Sequence, residues 1–92
     1  GASGLGVEAA ARTAAVLSTG AEGAIPLKEG YAAAMAAQNT SYACVEKNIR
    51  SMVGKLQAGA CGEYQALMGG LPAERPSNEL FLRRLARRIL EW

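Results

Sequence analysis

Apolar side chains recur along the middle of this chain at alternating steps of four and three residues. The row consists of Tyr31, Met35, Gln38, Tyr42, Val45, Ile49, Met52 and Leu56, and is called the heptad row below. Such spacing is the a/d pattern of a helix that packs lengthwise on another helix. It predicts one continuous long helix from Leu27 to Ala58, in which the row covers about 39 Å at about 1.5 Å per residue.

Start and stop signals agree with these bounds, because Pro26 directly precedes the segment and Gly59 directly follows it. The triplet Asn39-Thr40-Ser41 could interrupt the helix, but the heptad row passes through it in phase, which favours continuity. The rest of the chain is too short to cover so long a helix. The heptad row is therefore expected to contact other proteins.

Three further helices are predicted outside this segment. They are an N-terminal helix over Val7–Ser18, a short helix over Glu63–Met68 after a Gly-rich turn, and an amphipathic C-terminal helix over Asn78–Trp92 with Ser77 as its N-cap. Residues 1–6 are expected to be a flexible lead, 19–26 a linker and 69–76 a connector. No run alternates like a strand for more than a few residues. The prediction is a single small all-α domain over residues 1–92.

Composition limits the chemistry that this chain can perform. It contains no histidine and no aspartate, and all eight of its acids are glutamates. Ser-His-Asp and Cys-His catalysis, EF-hand loops and most zinc sites are thereby excluded. The chain is predicted not to be an enzyme, with no catalytic residue, no metal site and no small-molecule substrate. Many of its apolar residues are alanines, so its own core is thin and support from a partner is expected.

Four arginines crowd the last ten residues: Arg83, Arg84, Arg87 and Arg88. They fall on the half of the C-terminal helix opposite its apolar side chains. The plain interpretation is a solvated basic face, and the functional one is a face that docks on an acidic partner or on anionic lipid headgroups. Trp92 could anchor at a membrane interface. Nucleic acid is not an expected partner, because the other basic residues do not gather with these four.

Cys44 and Cys61 are the only cysteines, and two cysteines in a small chain can form a disulfide. In a continuous long helix, however, Cys44 would lie about 21 Å from the end at Ala58, whereas bridged Cα atoms lie within about 7 Å of each other. Free, buried thiols are therefore favoured. An intramolecular disulfide, an intermolecular bond and the covalent attachment of a group remain alternatives.

One segment carries a family pattern: Arg50, Val53, Cys61, Glu63, Leu67 and Pro72, with Tyr42 ahead of them. It resembles the terminal module of red-lineage phycoerythrin gamma subunits, which are linker polypeptides of light-harvesting antennae. The resemblance implies a plastid, thylakoid-associated protein whose targeting peptide has been removed. It also implies Cys61 as the position where a bilin could be attached. A contact with chlorophyll or carotenoid would fit the same setting. Since histidine, a common axial ligand of chlorophyll, is absent, that ligand would come from Gln, Asn, Glu, a backbone carbonyl or water.

These observations predict a non-catalytic structural linker or accessory subunit of a photosystem–antenna supercomplex, which binds neighbouring protein subunits and lies near the thylakoid surface. Its predicted partner-binding residues are Tyr31, Met35, Tyr42, Val45, Ile49, Met52, Leu56, Arg83, Arg84, Arg87, Arg88 and Trp92. One alternative is a cysteine-bearing helical-hairpin subunit of another large assembly, such as a mitochondrial respiratory complex. That version needs an interrupted long helix and a Cys44–Cys61 disulfide. Another alternative is a membrane-surface protein that binds through its basic C-terminal helix.

Overall fold

Five helices are present in the computed structural model, which describes residues 4–21 and 23–90. They are α1 (Gly4–Leu17), α2 (Leu27–Gln38), α3 (Tyr42–Gly59), α4 (Gly62–Met68) and α5 (Asn78–Leu90). The described residues contain no strand, so the predicted all-α class is confirmed. α1 contacts α2, α3 and α5, and thereby lies at the centre of the packing.

The predicted continuous helix over 27–58 is wrong, because it is divided into α2 and α3. Asn39 ends α2 in the left-handed conformation, with φ 50°, and the Thr40 N–H donates back to the Met35 carbonyl at 3.1 Å. Ser41 then caps α3, its hydroxyl accepting a hydrogen bond from the Cys44 N–H at 3.2 Å. Asparagine tolerates left-handed backbone, and serine is a favoured N-cap. The local chemistry of the triplet therefore prevails over the apolar spacing.

The heptad row is covered largely by the chain itself. Four of its members, Tyr31, Val45, Ile49 and Met52, lie in the core. The other buried apolar residues of the same core are Ala9, Ala10, Ala14, Leu17, Ala34, Val53, Tyr64, Met68, Phe81, Leu82 and Ala86. The prediction that these four contact other proteins is therefore wrong. The break at Asn39 is the physical reason, because it allows α2 and α3 to pack separately against α1. Met35 and Leu56 are partly buried against the same core, whereas Tyr42 is 46% exposed.

The close approach of α1 to α2 and α3 depends on small residues. A Cβ at Gly6 would lie 2.8 Å from the Asn48 carbonyl oxygen, and a Cβ at Gly30 would lie 2.6 Å from Thr13 Cγ2. The buried Thr13 hydroxyl also donates to the Gly30 carbonyl oxygen at 3.3 Å. Glycine is needed at both positions, since real Cβ atoms do not approach other atoms so closely. Gly6 thus belongs to a packed helix that begins at Gly4, which corrects the predicted flexible lead; residues 1–3 lie outside the described part.

α5 is positioned by its cap and by the segment before it. Ser77 caps the helix as predicted, its hydroxyl accepting from the Leu80 N–H at 3.1 Å. Residues 69–77 carry no helix, and the Gln57 amide holds them by donating to the Pro72 carbonyl oxygen at 2.6 Å. The Tyr64 hydroxyl donates in turn to Gln57 Oε1 at 2.7 Å. These bonds connect α3, α4 and the segment that leads into α5.

Candidate docking surface on the last helix

α5 presents one face to the core and the opposite face to solvent, as its amphipathic pattern predicts. The core-facing side chains are Phe81, Leu82 and Ala86, and the exposed ones include Leu80, Arg84, Arg87 and Arg88. The last three line a groove of about 240 Å³ between α4 and α5, together with Ala66 and Leu67 of α4. We call Leu80, Arg84, Arg87 and Arg88 the arginine surface.

Arg83 differs from these residues because its guanidinium is already paired within the chain. Its Nη1 donates to the Ile25 carbonyl oxygen at 2.9 Å, and its Nη2 lies 3.3 Å from Glu79 Oε2. Its side chain is only 22% exposed. Arg83 therefore ties α5 to the segment between α1 and α2, and its predicted contact with a partner stays a prediction.

The arginine surface has an excess of positive charge. Ion pairs join Glu8 to Arg12, Glu46 to Arg50 and Glu79 to Arg83, and none of these three pairs involves Arg84 or Arg88. A guanidinium carries five N–H donors in a planar fork that matches a carboxylate or a phosphate. Arg87 and Arg88 lie in the last turn of α5, where a cation also offsets the negative end of the helix dipole.

Exposed leucines border these arginines. Leu80 is 46% exposed and lines a hollow of about 180 Å³ with Arg83, Arg84 and Arg87. Leu90 is 59% exposed at the other end of α5. Protein interfaces combine buried apolar area with arginine, and their rims are polar. The outer side of α5 therefore combines arginine with exposed apolar side chains, the residue types that are common in protein interfaces.

Both cysteines are free and exposed. The prediction that they are buried is wrong, whereas the covalent attachment of a group and an intermolecular bond stay predictions. The disulfide required by the hairpin alternative is absent, because α3 runs unbroken from Tyr42 to Gly59 and so places about 22 Å of helix between Cys44 and its end.

Cys61 lies directly before α4 and lines an apolar hollow of about 180 Å³, together with Leu56, Tyr64, Leu67 and Phe81. Sites that enclose a small organic molecule measure about 300–1,000 Å³. The hollow is therefore too small to enclose an open-chain tetrapyrrole. A bilin attached to Cys61 remains a prediction, and it would have to lie on the surface of the folded chain.

Two tyrosines are shielded from solvent. Burial raises the pKa of the Tyr31 phenol, an effect partly offset by the hydrogen bond from Asn78 Nδ2, which lies 3.3 Å from the phenolic oxygen. Burial also raises the pKa of Tyr64. The Tyr31 ring packs edge-to-face against Tyr42, with ring centroids 5.1 Å apart. Tyr31 is thus a core residue, and Tyr42 is the member of this pair that a partner can reach.

Sequence reasoning found the arginine cluster but not its division, although Glu79 four residues before Arg83 is a recognisable ion-pair spacing. Trp92, predicted as a membrane anchor, lies outside the described residues. Within 4–21 and 23–90, no helix combines the length and apolarity needed to cross a bilayer, and no three His, Cys, Asp or Glu side chains are grouped to hold a metal ion. Comparisons with protein-family models, with curated proteins and with solved structures found no match to this chain.

Proposed function

We propose that this chain is a non-catalytic structural linker or accessory subunit of a photosystem–antenna supercomplex, and that it docks on an acidic surface of a neighbouring subunit. One observation carries the docking mode: Arg84, Arg87 and Arg88 line a single groove, and the exposed Leu80 shares a neighbouring hollow with Arg84 and Arg87. Carboxylates on a partner would pair with these guanidinium groups and fix the register of the two surfaces. The photosynthetic setting is supported by the resemblance of residues 50–72 to phycoerythrin gamma linkers.

A protein partner agrees better with the packing of α5 than a membrane surface does. A helix that lies on a bilayer inserts its apolar face among the lipid chains. Phe81, Leu82 and Ala86 are at most 5% exposed, because that face packs against the other helices. α5 would have to leave the core before it could insert, whereas it can dock on a protein as it stands.

The docking mode is tested by charge reversal on the arginine surface. A supercomplex depleted of this chain is mixed with the purified chain, and rebinding is measured by sedimentation, with chlorophyll absorption reporting the complex. We expect R84E/R88E to weaken rebinding about tenfold, since two interfacial ion pairs are replaced by repulsion. K28E/K47E is the matched control, because it makes the same change in net charge at two exposed lysines that line neither the groove nor the hollow beside Leu80, and it should rebind like the unmodified chain.

Each result has a definite consequence. If the unmodified chain does not rebind to the photosynthetic complex, the proposed setting is wrong. If R84E/R88E rebinds as well as K28E/K47E, the arginine surface is not the docking site. Binding to vesicles of phosphatidylglycerol and phosphatidylcholine, in the absence of rebinding to the complex, would favour the membrane-surface alternative.

The pigment prediction has a test of its own. The visible spectrum of the native complex is compared with that of the denatured chain. A colourless denatured chain would indicate a linker without covalent pigment. Colour that survives denaturation but is lost in Cys61→Ser would place a bilin on that thiol.

A further inference from the structure

The groove of the arginine surface continues into the apolar hollow beside Cys61. Leu67 of α4 lines both depressions. On α5, Phe81 lines the hollow, whereas Arg84 and Arg88 line the groove. These three residues are spaced i, i+3 and i+7, so they fall along one side of the helix over about 10 Å. The two depressions therefore follow one another along the seam between α4 and α5.

The two ends of this seam differ in chemistry. The hollow, which we call the Cys61 hollow, measures about 180 Å³ and is lined by Leu56, Cys61, Glu63, Tyr64, Leu67 and Phe81. An apolar cavity of about 150 Å³ is large enough for a benzene ring, so the Cys61 hollow has room for one large apolar side chain. The groove measures about 240 Å³ and presents three guanidinium groups. One ligand can therefore use an apolar end and an acidic end together.

Glu63 determines which end of the seam is acceptable to an acid. It is exposed and lines the Cys61 hollow, so its carboxylate repels a second carboxylate placed there. Arg84 and Arg88 attract carboxylates at the other end of the seam. Attraction at one end and repulsion at the other fix the orientation of the ligand, with its acids in the groove and its apolar group in the hollow.

The spacing of the arginines favours a helical partner. Arg84 and Arg88 are one helical turn apart, as are two carboxylates at positions i and i+4 of a partner helix. A second copy of this chain does not offer such a pair, because no two of its eight glutamates are three or four residues apart. The occupant that fits the seam therefore belongs to a different protein.

We propose that the seam between α4 and α5 binds an amphipathic acidic helix of the neighbouring subunit. Carboxylates one turn apart pair with Arg84 and Arg88, and an apolar side chain of the same helix fills the Cys61 hollow and covers the Cys61 thiol. The inference rests on the proposed function: it names the kind of partner segment that docks, and it extends the docking site from α5 across α4.

The Cys61 thiol makes this docking measurable, since a side chain in the hollow shields it. The full chain carrying Cys44→Ser is alkylated with iodoacetamide, a neutral reagent that the arginines do not attract. The probe is an acetylated and amidated peptide of four Ala-Leu-Glu-Ala repeats, which places leucines and glutamates in two adjacent rows along a helix. At about 10 mM peptide we expect alkylation of Cys61 to slow about tenfold, which corresponds to a dissociation constant of about 1 mM.

The chain supplies its own control thiol. Cys44 is exposed in the first turn of α3 and lines neither the groove nor the Cys61 hollow, so in Cys61→Ser its alkylation should be unaffected by the peptide. R84E/R88E, added to Cys44→Ser, should bind about tenfold more weakly and retain only about twofold protection. K28E/K47E in the same background should keep the full protection. A thermal melt verifies that each variant is folded.

Two control peptides test the two ends of the seam separately. Four Ala-Leu-Gln-Ala repeats lack the acids, and four Ala-Ser-Glu-Ala repeats lack the apolar anchor, so both should protect Cys61 far less than the probe. The proposal is overturned by unslowed alkylation with the probe, by equal slowing at Cys44, or by equal protection from either control peptide. Protection by phosphatidylglycerol vesicles without protection by the probe would also overturn it and assign the seam to anionic lipid.

The same thiol separates this inference from the proposed function. If the chain rebinds to the depleted supercomplex while Cys61 is alkylated as fast as in the free chain, docking does not extend over the Cys61 hollow and the inference alone fails. If the probe protects Cys61 but the chain does not rebind to the supercomplex, the seam takes an acidic helix and the photosynthetic setting is wrong.

Discussion

Replacing Gly30 by alanine tests most directly how these helices pack. Gly30 lies on the side of α2 that faces Thr13 of α1. An added Cβ would lie 2.6 Å from Thr13 Cγ2 and 3.0 Å from the Thr13 carbonyl oxygen. Thr13 is fully buried and one of the two atoms is backbone, so relief requires the two helices to move apart.

Two effects on the free energy of unfolding oppose each other in Gly30→Ala. The higher helix propensity of alanine stabilises by about 1 kcal/mol. Overpacking at a tight contact costs about 1–3 kcal/mol, and separation of the helices also weakens the 3.3 Å bond from Thr13 to the Gly30 carbonyl, worth about 1 kcal/mol. We expect a net loss of about 1–2 kcal/mol. The matched control is Gly54→Ala, in which the new Cβ meets only Arg75 Cδ, at an ordinary van der Waals distance of 3.6 Å. The helix propensity of alanine is then not opposed, and the free energy of unfolding should rise by up to about 1 kcal/mol.

The assay is urea unfolding followed by far-UV circular dichroism, in which the two variants should shift the midpoint in opposite directions at unchanged slope. Thr13→Ser removes Cγ2, the atom nearest to the added Cβ, and in the double variant it should recover part of the loss. If Gly30→Ala stabilises as much as Gly54→Ala, the contact between α1 and α2 is absent. Alanine at position 30 would then stabilise through its higher helix propensity alone, as expected for a continuous helix over residues 27–58.

Three further outcomes are expected. Ser41→Ala should lower the free energy of unfolding by about 1 kcal/mol through loss of the α3 cap; an unchanged urea midpoint would contradict the break between α2 and α3. Cys44 and Cys61 should both react with a thiol reagent in the native state without reductant, whereas slow reaction that needs denaturant would contradict their exposure. Because burial raises the pKa of Tyr31, the native state retains protons that the unfolded state loses above about pH 10, so stability should fall as the pH rises through that value. Tyr31→Phe should reduce the slope of stability against pH in that range, and an unchanged slope would refute the assignment.

Local signals in the sequence were sufficient for most helix ends. α5 begins at Asn78 after the predicted Ser77 cap, and α3 ends at Gly59, within one residue of the predicted end. α4 begins one residue before its predicted start at Glu63 and ends at Met68, where Gly69 with φ 76° closes it. Caps and left-handed glycines act within a turn of helix, so they can be recognised without knowledge of the fold.

The in-phase heptad row was misleading for a physical reason. α2 and α3 each bury one face in the same core, so each shows the helical period. If the interruption between the two helices happens to have a suitable number of residues, their two apolar patterns continue with the same spacing in the sequence. The triplet Asn39-Thr40-Ser41 contained the better signal, since a residue that tolerates left-handed backbone was followed at once by a favoured N-cap. Apolar spacing that continues across a short polar segment is therefore weak evidence for one continuous helix. A helix-ending residue followed by an N-cap within that segment is stronger evidence for two helices.

The division of the arginines could not be predicted in full. Arg83 is fixed by the Ile25 carbonyl, a group 58 residues away in sequence, and only the packed chain brings the two together. The burial of Gly6 against Asn48 is of the same kind. Long-range contacts decide which members of a charged cluster remain available to a partner, and the pattern of charge alone does not record them.

Burial of the heptad row changes the physical nature of the expected docking. A partner bound by an exposed row of Val45, Ile49 and Met52 would be held by the hydrophobic effect, which high concentrations of sulfate strengthen. Docking through Arg84 and Arg88 is electrostatic and is screened as salt rises, with a Debye length of about 8 Å near physiological ionic strength and about 3 Å at 1 M. Rebinding to the depleted complex should therefore weaken steadily as sodium chloride is raised, and K28E/K47E should follow the same curve as the unmodified chain. Rebinding that is indifferent to salt would mean that the exposed leucines, rather than the arginines, carry the interaction.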